Sequence, residues 1–100
     1  MCGCAVMFVQ DYTKLKDKSE LLKVLGHPIR LCIVAGLLGK ECNVSTMQDC
    51  IQLPQPIVSQ HLAILKKNGV VKATRAGKEN IYSVADLRVK KIIENLFNEE

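Results

Sequence analysis

Five cysteines and one polar helix face carry most of the chemistry available to this sequence. Cys2 and Cys4 form a Cys-x-Cys pair near the N-terminus, and Cys32, Cys42 and Cys50 follow in the first half of the chain. Thiolates are soft ligands, so three brought together suit arsenite, cadmium, lead or another soft ion. Two brought within bridging distance suit a disulfide or persulfide switch, provided one thiol has a lowered pKa. Cys2, Cys4 and Cys42 are the candidates for the ion, with the first two equally readable as a tail without a role. Cys32 and Cys42 are candidates for the bridge. About ten residues of straight helix would hold that pair roughly 15 Å apart unless the following turn folds back. Cys32 lies beside an apolar stripe, where partial burial competes with sensing, and Cys50 fits an apolar helix position as a buried structural thiol.

The polar face belongs to the stretch from Gln55 to Lys67. Val58, Leu62 and Leu65 make one apolar stripe with His61 beside it. Gln55, Ser59 and Ala63 lie on the other side at i, i+4 spacing, flanked by Pro56 and Gln60. That side has no acidic residue and runs into Lys66 and Lys67. A small, polar, acid-free surface suits a major groove, because Gln offers paired hydrogen bonds to adenine and Ser reaches base edges or phosphates. An ordinary solvated helix would mix Glu with Lys there. Lys72, Arg75 and Lys78 add a basic hairpin that suits phosphates or a minor groove, although lysines serving solubility look alike and Glu79 dilutes the charge. The expected DNA-contacting set is Gln55, Pro56, Ser59, Gln60, His61, Lys67, Lys72, Arg75 and Lys78. For His27 and His61, capping, packing or phosphate contact explains the residue type better than metal ligation.

The elements that must position these residues follow from periodicity and punctuation. Residues 1–10 read as a mobile arm and residues 11–97 as one domain. A helix spans Asp11 to Leu25, with Leu15, Leu21, Leu22 and Leu25 at helical spacing, and Gly26 ends it. His27-Pro28 opens a second helix, where Leu31, Ile33, Val34, Leu37 and Leu38 form a broad apolar face up to Gly39. Ser45 to Gln48 has the spacing of a capping box, so a third helix starts at Ser45 with Met47, Cys50 and Ile51 inward. A tight Gln52-Leu53-Pro54 link leads to the fourth helix, which stops at Asn68-Gly69. Val70 to Arg75 and Glu79 to Val84 alternate around Ala76-Gly77-Lys78 as a hairpin. A last helix from about Ala85, with Asp86 near its start, carries Leu87, Ile92, Ile93 and Leu96. The fold class is mainly α with a β-hairpin wing: a winged helix-turn-helix of order α-α-α-α-β-β-α.

Composition sets the bounds. One hundred residues, 48% of them hydrophobic, make one domain with a core, and 4% aromatics make that core aliphatic. So short a chain buries limited surface alone, which favours a dimer. Charges interrupt every apolar run, so no segment crosses a membrane, and no secretory signal is evident, so the chain reads as cytoplasmic. A net charge of +4 favours a polyanion only if it gathers on one face. The odd cysteine count argues against a disulfide scaffold. No nucleophile–base pair, phosphate-cradling loop or paired carboxylates appear, which argues against an enzyme. A winged helix that binds only protein would carry acidic or large apolar residues on the face that holds Gln60.

From Leu21 to Leu96 the sequence resembles the ArsR/SmtB family of small bacterial repressors. The likeness lies in Leu25-Gly26-His27-Pro28-Ile29-Arg30-Leu31, Gln55 to Leu62, Leu65 to Val71 and Gly77 to Val84, in that order. It implies a homodimer joined through the first and last helices, with the fourth helix of each subunit in successive major grooves of an operator. It also implies release from DNA by an inducer, here a thiol-reactive one of the soft metal or metalloid class. The alternative is a redox or persulfide-responsive repressor using a cysteine pair. In the family an N-terminal arm can complete a third-helix metal site on the other subunit, which is how Cys2, Cys4 and Cys42 would meet. Three departures stand out. Asn43 and Ser45 occupy the thiolate positions of the third-helix metal site. Asp86 is followed by Arg88 with no downstream His, so the last-helix metal site is broken. Pro54 replaces a capping Ser, leaving an N–H for water or DNA.

Overall fold

The computed structural model describes residues 11–98; the expectations for residues 1–10, including Cys2 and Cys4, lie outside the described residues. Five helices and one hairpin follow in order: α1 Tyr12–Leu25, α2 Pro28–Gly39, α3 Val44–Ile51, α4 Gln55–Lys67, β1 Val71–Ala76, β2 Glu79–Val84 and α5 Leu87–Leu96. This is a winged helix-turn-helix, mainly helical, with the element order read from the sequence.

Each helix starts where a side chain can take a free backbone N–H, with one exception. Asp11 accepts from Lys14 N at 3.2 Å, His27 Nδ1 from Ile29 N at 3.1 Å and Asp86 from Arg88 N at 2.9 Å. The third cap differs from expectation. Asn43, not Ser45, closes the start of α3, its Oδ1 accepting from Thr46 N at 2.8 Å. Asn is as good a cap as Ser, and choosing it lengthens α3 by one residue and removes Gln48 from the reciprocal position of a capping box. The exception is α4, whose cap position is Pro54 and has no side-chain bond. Ile57 N and Val58 N both point at the Pro54 carbonyl, at 3.0 and 3.3 Å, and Pro56 has no N–H to satisfy. The missing cap therefore leaves the Gln55 N–H.

The end of α4 is a Schellman motif. Gly69 takes φ +75°, Val70 N donates to Leu65 O at 3.0 Å and Gly69 N to Lys66 O at 3.1 Å. Val70 and Leu65, which share that motif, are both fully buried. Val70 thus belongs to the helix stop, and the hairpin starts one residue later than its β-branched run suggests. The strands pair antiparallel with Val71 opposite Val84 and Ala76 opposite Glu79. Gly77 at φ +66° occupies the first central position of the two-residue turn, as a type II′ turn requires.

The core is aliphatic and central to the helix-turn-helix. Ile33, Val34 and Leu37 of α2, Met47 of α3, Val58, Leu62 and Leu65 of α4, Val70 and Val71, and Val89 and Ile93 of α5 are buried together. Burial of each such side chain is worth about 1.5–3 kcal/mol, so α4 is fixed by three of them. Two corrections concern cysteines: Cys50, expected inside, is exposed, and so is Cys32. Met47 is the buried residue of α3, and Val44 and Ile51, half-buried at its two ends, pack beside it. No single described helix is long and apolar enough to cross a membrane.

Candidate nucleic-acid interface

α3 and α4 are joined by three residues, Gln52, Leu53 and Pro54. Gln52 takes a left-handed conformation at φ +62° and donates its N–H to Gln48 O at 2.7 Å, turning the chain sharply between the two helices. With Val58, Leu62 and Leu65 buried, a rotation of about 100° per residue centres the opposite face on Pro56, Gln60, Ala63 and Lys67. All four are exposed, as are Gln55 and Lys66 on one flank. Ser59 sits on that flank too but is half-buried, at a shallow depression lined by Val44, Ala63 and Tyr82. The outward strip therefore runs through Gln60, and Ser59 lies at its edge.

His61 is placed apart from the other expected contacts. Arg30 Nε–H donates to His61 Nδ1 at 3.2 Å, and Arg30 Nη1–H to Val24 O at 3.3 Å. The His27 and His61 rings lie 4.4 Å apart between centroids. Desolvation, then the His27 and Arg30 charges, push the His61 pKa below its ordinary value. Its Nδ1 is engaged inside the protein, so His61 braces α4 against Arg30 of α2 while remaining half-exposed. Sequence reasoning passed over Arg30 as a structural actor. Its signal is that it is the one charged residue in the otherwise apolar α2 stretch.

The wing is tied to the helices along β2, at mid-strand and beside the turn. Tyr82 N donates to Cys42 O at 2.8 Å, and Asn43 Nδ2 donates to Glu79 Oε1 at 2.9 Å. Asn43 thus caps α3 and anchors the hairpin with the same amide group, a pairing no local pattern announces. Lys72, Arg75 and Lys78 are exposed. Arg75 Nε–H bonds Gly77 O at 2.9 Å, which bends that side chain over the turn and leaves its terminal nitrogens outward. Glu79 accepts from Asn43 but keeps its negative charge beside Lys78, so the wing is basic only by the excess of Lys72, Arg75 and Lys78 over that one carboxylate.

The three described cysteines come from different segments yet line one cavity between α2, α3 and the wing. The turn after α2 folds back and carries Cys42 to the β2 edge, so Cys32 and Cys42 share a wall despite the length of helix between them. Burial, then the neighbouring Cys50, push the Cys42 thiol up, with Lys40 opposing. Among the described residues no three His, Cys, Asp or Glu side chains stand so as to hold a metal ion. The described part of the proposed thiolate site therefore does not by itself fit a metal.

Comparison with known proteins places this arrangement. Residues 27–73 match the model of the bacterial regulatory proteins of the arsR family. The sequence is 43% identical over 79 residues to the HTH-type transcriptional repressor SmtB of Mycobacterium tuberculosis, covering 79% of this chain but 58% of that protein. It is 41% identical to the transcriptional repressor PagR of Bacillus anthracis, over 86% of this chain and 87% of that one. The PagR crystal structure superposes with a TM-score of 0.78, covering 86% of this chain and 99% of that one. HlyU from Vibrio cholerae, at 30% identity, superposes with 0.81 over 85% and 92% of the two chains.

Proposed function

The chain belongs to the arsR family of bacterial regulatory proteins, a family of transcription regulators rather than enzymes, and on that premise we propose a homodimeric operator-binding repressor released by a thiol-reactive inducer. The observation that carries the DNA reading is the acid-free outward face of α4, presented by a helix-turn-helix beside a basic wing. Gln55, Gln60 and Lys67 read or hold the major groove, with Pro56 allowing close approach and Ser59 at the margin. Lys72, Arg75 and Lys78 grip the flanking backbone. Exposed Tyr12, Leu15 and Leu22 on α1 and Leu87, Leu96 and Phe97 at α5 supply the apolar surface for a two-fold mate. The protein would act in the cytoplasm, with its DNA.

Release requires that inducer binding alter the angle between the two groove helices, so that they no longer match half-sites one turn apart. The coupling asked for is modest, about 1–3 kcal/mol. In the soft metal or metalloid reading, Cys2 and Cys4 join Cys42. The cysteine-pair reading is supported by the shared cavity of Cys32, Cys42 and Cys50. A mobility shift on the promoter upstream of its own gene, run at two salt concentrations, tests the DNA reading. Affinity should fall steeply as salt rises, and absence of a shifted band at low salt would end it. Titration of the complex with arsenite, cadmium, zinc and persulfide, repeated on the Cys2→Ser/Cys4→Ser protein, then separates the inducer classes.

A further inference from the structure

The cavity between α2, α3 and β2 shares no lining residue with the proposed DNA contacts. Its volume is about 410 Å³, within the range of about 300–1,000 Å³ typical of small-molecule sites. Leu37, Met47, Ile51 and Ile81 give it mainly apolar walls, and three thiols open onto it. Cys32 and Cys50 are exposed there and Cys42 is half-buried. Gly36 in the middle of α2 lines the same space, and a Cβ built on it meets nothing within 4 Å. Apolar walls select a hydrocarbon body, and a cluster of thiols selects a soft reactive centre. Since the described donors do not converge as an ion would need, a carbon electrophile fits this space better than a bare metal.

We propose that the cavity is a capture site for a small apolar α,β-unsaturated carbonyl compound, which binds by its hydrocarbon part and alkylates Cys32 or Cys50. The thiol sulfur bonds the β-carbon, the carbon–carbon π bond is lost, and the thiol proton ends on the α-carbon. Nothing is oxidised and no group leaves. Cys42 is the weaker nucleophile, because burial and its neighbour keep its thiol protonated. An adduct wedged against α3 would press on Met47 and on the Asn43–Glu79 and Cys42–Tyr82 links, which join α3 to the core and the wing. That consequence for DNA rests on the repressor reading above; the capture itself does not.

The test uses the full-length reduced protein without DNA, two maleimides of matched intrinsic reactivity (N-phenylmaleimide and a carboxymethyl analogue), and peptide mass mapping of the labelled cysteines. Cys32 or Cys50 should react with the phenyl reagent roughly tenfold faster than with the charged one, normalised to glutathione, as burial of about two methylene equivalents supplies. Gly36→Leu should fill the space, abolish that preference and leave labelling by the charged reagent unchanged. Gly36 has no strained φ and open space at its Cβ, so the variant should fold, and its melting curve checks this. Equal rates with both reagents, or a preference untouched by Gly36→Leu, would overturn the site. So would a preference seen only after residues 1–10 are removed, since the chain's own N-terminus would then be the occupant, or only below the dimer dissociation constant, since a second copy would be. A mobility shift of the labelled protein reads the DNA consequence separately: capture without release leaves the site standing and counts against its role as the inducer site.

Discussion

Gln60 and Lys78 should separate two kinds of DNA contact, one from α4 and one from the wing. Gln60 is exposed at the centre of the outward face of α4, where an amide can offer a donor and an acceptor to one adenine. Gln60→Ala should weaken binding to the operator by about 1–3 kcal/mol and relax preference at one base position. Lys78 is exposed in the wing turn, where the proposed docking would set it against phosphates. Lys78→Ala should weaken all sequences alike and lower the salt slope by about one. Competition shifts with specific and non-specific duplexes read both, and equal losses in the Gln60 variant would remove it from base reading. His61 makes a different prediction, about stability. Its imidazole is held neutral by desolvation, His27 and Arg30, so the unfolded chain binds that proton more readily than the folded one. The contribution is therefore complete above the ordinary histidine value of about 6.5 and is lost as pH falls through the lower folded pKa. Denaturant melts between pH 7.5 and about 5 should show this loss, and His61→Gln should flatten it. The Asp86 carboxyl is also held low, first by its bond from Arg88, but its window opens only near the carboxylate range, so the two effects separate along the pH axis.

At the scale of elements, the stop of α4 is the most exposed to a single change. Gly69 must hold φ +75° for Val70 N and Gly69 N to find their carbonyls. Gly69→Ala puts a Cβ into the left-handed region at a cost of about 1–2 kcal/mol, although the space around it is open. Thermal melting at fixed protein concentration should show a fall of about 4–8 °C per kcal/mol, with helix content unchanged once folded. An unaltered melting point would mean that this turn bears no strain. This element was legible in the sequence because Asn68-Gly69 and the basic last turn act locally. The α3 start was misplaced by one residue because Asn43 and Ser45 are both good caps; the one used, Asn43, also bonds Glu79, thirty-six positions away, a tie no local pattern can show. Cys50 was misjudged for a related reason. Helical spacing put it on the inward side of α3, but an eight-residue helix packed through Val44, Met47 and Ile51 leaves Cys50 at the rim. His61 beside the α4 stripe was visible, but its engagement by Arg30 depends on how α2 crosses α4. What was read well, then, is what neighbours in sequence decide; what was missed is decided by which elements meet.

The described residues form an elongated body, 53 × 30 × 22 Å, and its radius of gyration of 15.8 Å exceeds the roughly 13 Å expected for a compact chain of about 100 residues. An angle of 89° separates α1 from α2, and α1 buries only Val24 and Leu25, near its C-terminal end. Leu22 and Leu15 are left 57% and 49% exposed, and Leu87 on α5 73%. A helix so poorly covered gains little from its own subunit, which fits the proposed two-fold mate. Two-fold association would cover these leucines and would also carry a second α4, which a single short helix needs if it is to discriminate an operator from bulk DNA. Leu22→Asp places a charge in that interface twice per dimer. Loss of the buried leucine alone costs about 2–5 kcal/mol per copy, and an unpaired charge adds to it. The dimer dissociation constant should therefore rise by more than about a hundredfold. Sedimentation at micromolar concentration should find the variant monomeric with the core intact, since Leu22 touches no DNA-facing element. Operator binding should fall with the dimer and recover as protein concentration is raised. A variant that stays dimeric would place the interface elsewhere. One that becomes monomeric yet binds operator with full affinity would show that a single α4 and wing suffice, and the paired-groove mechanism of release would fall with it.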